Sequence, residues 1–180
     1  MKTITKISGS LLLSVFVLAS MSFLLKPDYS KSAVEFKIKN AGIGVDGSFK
    51  TFETSIDYNE AAAAPSSIKA TITVESINTG IEARDKHLRK DDFFDAEKYP
   101  KITFESTKIF KVTNGFTAEG KLTIKGVTKD ITIPFTYAGN AQGGVFEGAV
   151  TLNRLDYGVG GKSMTMGDDV DVKLKVTAAK

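Results

Sequence analysis

The 180-residue chain has no cysteine, no tryptophan and one histidine, His87. Without thiols there is no disulfide scaffold, no thiolate nucleophile and no Cys-ligated zinc or iron–sulfur centre. One histidine cannot build a His-cluster metal site. A charge excess is also missing: 24 basic residues nearly balance 21 acidic ones, a net of +3, which is not the footprint of a nucleic-acid binder. With 42% apolar and 25% charged residues, a disordered tail, a collagen and a multi-span membrane protein are excluded. The length fits one domain. No cofactor, metal or nucleic-acid partner is expected.

What is present begins with a leader-like segment. Lys2 and Lys6 precede an apolar run from Leu11 to Leu25, broken only by Ser14, Ala19, Ser20 and Ser22. A positive start, an apolar stretch and small residues are the plan of a secretory signal. The run of about 15 residues is short of the ~20 that a spanning helix needs. Residues 1–25 are therefore expected to be an export signal, and 26–180 the folded domain. The alternative is an uncleaved N-terminal anchor, because Phe23-Leu24-Leu25 carries the apolar stretch past the small residues. A lipoprotein anchor is excluded for want of a cysteine. Without residues 1–25 the balance is 22 basic to 21 acidic. The expected location is the periplasm or the cell exterior, where stray thiols would be oxidised.

From Ala33 onward the hydrophobic period is two. Val34, Phe36 and Ile38 alternate with Glu35, Lys37 and Lys39; Ile68, Ala70, Ile72 and Val74 alternate with Lys69, Thr71, Thr73 and Glu75. Segments 101–107, 131–137, 145–154 and 170–176 repeat the pattern, which means strands with one dry and one wet face. Asn114-Gly115, Lys125-Gly126, Gly139-Asn140 and Gly143-Gly144 mark reversals. Phe49 and Phe52, three apart, require a bend or bulge in the strand near 48–58. Eight or nine strands at this spacing predict an antiparallel sandwich or barrel. One segment, 79–100, breaks the rhythm with a near-helical spacing. Asp92 followed by Asp95 predicts a short helix that Pro100 ends, lying over an opening of the barrel.

The same segment carries a resemblance. Ser76-Ile77-Asn78-Thr79-Gly80, Arg84-Asp85-Lys86-His87-Leu88, Asp92-Phe93-Phe94-Asp95 and Tyr99-Pro100 resemble the YceI-like family. So do Ile102–Ser106, the stretch Gly120-Lys121-Leu122-Thr123-Ile124-Lys125-Gly126-Val127-Thr128, the segment Asn153-Arg154-Leu155-Asp156-Tyr157-Gly158-Val159, and Gly167-Asp168-Asp169-Val170. The resemblance spans about Asp28–Thr177. It implies a lipocalin-like antiparallel β-barrel of about eight strands with a short helical insertion, exported to the periplasm. It further implies binding of a polyisoprenoid or another long-chain amphiphilic lipid, and dimers among its members; the family is not established as catalytic. Family members often carry a histidine before the first strand's serine and another at that strand's end. Lys31 and Asn40 stand there instead, so a role resting on those histidines does not carry over.

The apolar faces supply candidate tunnel residues: Phe36, Ile38, Phe49, Phe52, Ile72, Val74, Phe93, Phe94, Phe104, Leu122, Ile133, Phe135, Phe146 and Leu152. Phenylalanine lines such a channel without a polar atom that must be satisfied. Small residues among them, Ala70, Ser106 and Gly148, either leave a tunnel or fit the barrel's taper. Arg84, Asp85, His87, Arg154 and Asp156 form a polar set with two readings. One is a latch, with Asp85 paired to Arg84 or Arg154; the other is contact with a phosphate, hydroxyl or quinone head group at the barrel mouth. Phe93-Phe94 reads as a plug, and Gly158, Gly160 and Gly161 as a mobile loop at the mouth, not a phosphate loop. Met164 and Met166 either line an adaptable entrance or cover the rim. The function that follows is lipid binding, sequestration or transport. The alternatives are a filled barrel with a structural or stress-related envelope role, and an enzyme acting on a lipid through Arg84, Asp85 and His87.

Overall fold

The computed structural model describes residues 21–180. Its strands are β1 (Ser22–Asn40), β2 (Ile43–Phe49), β3 (Phe52–Asn59), β4 (Ala64–Thr73), β5 (Ile77–Asn78), β6 (Lys101–Val112), β7 (Gly115–Ile124), β8 (Val127–Asn140), β9 (Gly143–Asn153) and β10 (Met166–Ala179). One helix, α1 (Glu82–Leu88), lies between β5 and β6. The ladder runs β10-β9-β8-β7-β6-β4-β3-β1, and β1 pairs back onto β10, so eight antiparallel strands close into a barrel. Closure removes the sheet edges that an open sheet would expose.

The expected bend is real. β1 pairs with β2 over Val34–Asn40 and with β3 over Ser22–Leu25, so β2 and β3 act as one long strand broken at Lys50-Thr51. Opposite the break, β1 bulges between Asp28 and Ala33. There the Thr54 N–H donates to the Tyr29 hydroxyl at 3.2 Å in place of a ladder bond. Two glycines of the motif segment have steric reasons. A Cβ on Gly120 would lie 2.4 Å from the Glu105 carbonyl oxygen and 2.7 Å from the Phe104 ring. Gly126, with φ +76, completes the β7–β8 turn beneath the Tyr99 ring.

Strand β1 starts inside the segment expected as leader, at Ser22. Residues 1–20 of the leader assignment lie outside the described residues. Ser22–Leu25, grouped with the leader by their apolarity, pair with Asn59–Ile56, and Leu25 is 2% exposed. The same residues that extend an apolar leader also satisfy the last rungs of a strand, and hydropathy cannot separate the two. They seal one end of the barrel. Phe23 packs on Tyr58 (centroids 5.7 Å apart), Tyr58 on Tyr137 (5.7 Å) and Tyr137 on Phe146 (4.4 Å). The Tyr137 hydroxyl donates to the Asn140 carbonyl.

The other end is covered by the insertion between β4 and β6 and by the loop from β9 to β10. Val74 N–H donates to the Pro100 carbonyl at 3.0 Å and closes the insertion's base. The helix is not where Asp92 and Asp95 place it: it is α1, eleven residues earlier, and 91–94 form turns. Asp92 spends its carboxylate on His87, at 2.7 Å, rather than on a cap, and Asp95 is left-handed at φ 51. A seven-residue helix is marginal by itself; α1 is held by Leu88, which packs on the core, and by Asp85.

Candidate functional site

The inward faces of the strands enclose a cavity of about 290 Å³. Of the tunnel candidates, Phe36, Ile38, Phe49, Phe52, Ile72, Phe93, Phe94, Phe104, Leu122, Ile133, Phe135, Phe146 and Leu152 line it. Val74 does not: it is 1% exposed in a 3₁₀ turn after β4, where the alternation has ended. Sequence reasoning left out the β10 wall, Val170, Val172, Leu174 and Val176, although the period-two signal there was legible. It also left out Tyr157 and Val159, which reach the cavity from irregular backbone where no periodicity marks them. Ala70, Ala118 and Gly148 line the wall as small residues and leave the space that larger side chains would fill. Ser106 instead accepts the Ile68 N–H at 2.9 Å, at the bulge between β6 and β7.

The aromatic residues Phe23, Tyr58 and Tyr137 at one end do not line the cavity, which reaches the insertion end, where Asn40, Val45, Thr79, Arg84, Leu88, Phe93, Phe94 and Met166 surround it. Phe94 meets Phe49 edge-on (5.9 Å), and Phe93 meets His87 edge-on (5.0 Å). Phe93 and Phe94 thus form wall and cover together. Met166 lines the entrance, whereas Met164 is fully exposed and does not. Of the two positions where the family often has histidine, Asn40 borders the cavity and Lys31 pairs with Asp28 at 3.0 Å. Ser30 hydrogen bonds and then Lys31 hold the Asp28 carboxyl below its ordinary value.

The polar candidates divide. Arg154 is a latch, but between its own loop and the start of β10. Its Nε donates to the Gly167 carbonyl (2.8 Å), Nη1 to those of Val159 (3.0 Å) and Gly161 (2.9 Å), and Nη2 to the Asp168 carboxylate (3.0 Å). The loop read as mobile from its glycines is thereby tied at several points, and Gly160 N–H also donates to the Asp92 carbonyl. The pairing of Asp85 with Arg84 or Arg154 does not occur. Asp85, 5% exposed, accepts instead from the Thr79 N–H (2.8 Å) and the Thr79 hydroxyl (2.5 Å). Arg84 Nε donates to that same hydroxyl, and its Nη2 to the Thr79 carbonyl, each at 2.7 Å. Thr79 lies within the quoted motif but has no charge to attract notice.

His87 and Asp92 form an exposed pair off the cavity wall, and the His87 contact lowers the Asp92 pKa. Asp156 pairs outside with Lys129 at 3.0 Å. Burial first, then the Asp156 charge, raises the Tyr157 phenol. Arg84, Asp85 and His87 therefore do not converge: only Arg84 borders the cavity. Among the described residues, no group of three His, Cys, Asp or Glu could hold a metal ion, and no helix is long and apolar enough to cross a membrane.

Comparison with known proteins gives consistent matches. The sequence model of the YceI-like domain matches residues 25–178. A UPF0312 protein of Pseudomonas aeruginosa is 34% identical over 160 residues, covering 84% of this chain and 83% of the relative. A UPF0312 protein of Yersinia enterocolitica is 31% identical, covering 74% and 70%. The crystal structure of Burkholderia cenocepacia BcnA superposes with a TM-score of 0.80 at 29% identity, covering 86% of this chain and all of that one. A polyisoprenoid binding domain from Saccharophagus degradans, 16% identical, shares the fold with a TM-score of 0.65, over 87% and 97%.

Proposed function

The chain belongs to the YceI-like family, and on that premise we propose that it binds the chain of a long isoprenoid-type lipid inside its barrel, and sequesters or carries it in the periplasm or outside the cell. The observation that carries the reading is the cavity itself: about 290 Å³, reaching the insertion end of the barrel, and walled mainly by Phe, Ile, Leu and Val. The barrel is not filled by its own side chains, and the volume lies at the lower edge of the range typical of ligand sites. The Saccharophagus degradans neighbour, described as polyisoprenoid binding, supports the reading through a shared architecture. The positive start and the apolar run that follows it in the sequence, and the lack of cysteine, support the location.

The magnitudes are consistent with a chain of a few isoprene units. A cavity of ~150 Å³ accommodates a benzene molecule, so about twice that volume holds roughly a dozen carbons. At about 0.8 kcal/mol per buried methylene, the gross gain is roughly 10 kcal/mol, against ~4–15 kcal/mol for association. A useful affinity thus needs the enclosed carbons together with further contacts along the mouth. Apolar walls separate isoprenoid from acyl chains weakly, so chain class is set by shape and not by hydrogen bonds.

Native mass spectrometry of protein purified from its own cells, followed by organic extraction, tests the reading. The expected result is a co-purifying lipid with a long branched chain. The reading fails if no lipid co-purifies and added long-chain isoprenoids leave the melting temperature unchanged, because any native-state binder must raise it.

A further inference from the structure

We propose that Arg84 is a head-group anchor at the cavity mouth, selecting among the chains that fit the barrel those that end in an oxyanion, either a carboxylate or a phosphate. The proposal rests on the chain-binding reading above and adds to it the chemistry of the polar end.

The three arginines of the chain meet different fates. Arg154 is buried and supplied with three carbonyls and the Asp168 carboxylate. Arg89 faces Glu75 at 3.3 Å. Arg84 borders the apolar cavity and, among the described residues, has no carboxylate within ion-pair distance and no partner for Nη1. The acids nearest in sequence are engaged elsewhere: Glu82 holds Lys86 at 2.8 Å, and Asp85 accepts from Thr79. The two bonds from Arg84 to Thr79 fix the plane of the guanidinium. Nη1 and the second Nη2 hydrogen are left without a protein acceptor. Asp85 anchors this arrangement at one remove, since it accepts the proton of the hydroxyl that accepts from Arg84.

A guanidinium has donors only and stays charged at all relevant pH values. Beside an apolar wall, an incompletely paired cation is poorly compensated, and the group that offsets it best is an anion offering two oxygens to the open fork. A neutral hydroxyl offers one acceptor and no charge. A lipid whose tail runs inward from the insertion end therefore leaves its head at Arg84, the one wall cation among the described residues with open donors.

Three probes sharing one fifteen-carbon chain test this: farnesol, farnesoic acid and farnesyl monophosphate, titrated calorimetrically into the full chain after lipid has been removed. The acid and the phosphate are expected to bind wild type at least about tenfold tighter than farnesol, the scale of one charge-assisted hydrogen bond. Arg84→Gln should bring all three within about twofold of one another by weakening the acid and the phosphate more than farnesol, and Arg84→Lys, which keeps charge but loses the fork, should fall between. Equal wild-type affinities for the three probes overturn the proposal while leaving chain binding intact, as does an Arg84→Gln variant that weakens all three alike. Binding of none of them overturns the chain-binding reading and this proposal with it. The wild-type comparison stays decisive even if a variant does not fold.

Discussion

Filling the cavity from within should separate ligand capacity from barrel stability. Ala70 lies on β4 between Thr54 of β3 and Phe104 of β6, and it lines the cavity. Ala70→Phe adds one phenyl ring to a space that holds about two, judged by the ~150 Å³ that accommodates benzene. About six ligand carbons then lose their place, a gross loss of ~5 kcal/mol at ~0.8 kcal/mol each. Some of the tail can shift toward the mouth, so at least a hundredfold weakening, about 2.7 kcal/mol, is expected. A wild-type protein at a hundred times its Kd gains about 2.7 kcal/mol, or roughly 5–10 °C in Tm at this chain length. At the same ligand concentration the variant should gain about 1 °C. The unliganded variant should stay within about 3 kcal/mol of wild type, because the ring enters a void and not a packed core. Differential scanning fluorimetry with and without farnesol reads both quantities. An undiminished ligand shift in a folded Ala70→Phe protein would falsify the assignment of the chain to this cavity.

Arg154→Met should destabilise the protein by about 3–5 kcal/mol, because it orphans three carbonyls and the Asp168 carboxylate; a urea midpoint shift worth under 1 kcal/mol would show that the loop is held by other contacts. Gly120→Ala should cost about 2 kcal/mol or more, since its Cβ would overlap the Glu105 carbonyl and the Phe104 ring, and a neutral melt would contradict that packing. In alkali, stability should fall as pH rises above 10: burial raises the Tyr137 and Tyr157 phenols above that ordinary value, so the folded state binds more protons than the unfolded state there. Tyrosine absorbance should accordingly titrate late for these two groups, and Tyr137→Phe should remove one late step. In acid the sign reverses: the Asp92 contribution, present above 3.8, should disappear as pH falls through its lowered pKa, and His87→Ala should remove that part of the acid sensitivity.

The amino-acid pattern was enough for the barrel and for most of its lining, because period-two alternation is a local property that any dry-inside strand must show. Phe36 and Ile38, Ile72, Leu122, Ile133 and Leu152 were named from it and line one cavity. The spacing of Phe49 and Phe52 announced the break between β2 and β3. The ordered motifs around Arg84, Gly120 and Arg154 were enough for the family. Which partners those side chains take was settled only by tertiary structure. Asp85 chose Thr79 over two arginines, and Arg154 chose Asp168, fourteen residues away, because hydrogen-bond geometry at a crowded barrel end, not charge alone, decides pairing. Ser22–Leu25 could serve an apolar leader or a strand, and their rungs with β3 depend on residues more than thirty positions distant. The void itself belongs to no segment: it is what eight curved faces leave over when Ala70, Ala118 and Gly148 come together, a sum of volumes that no stretch of sequence contains.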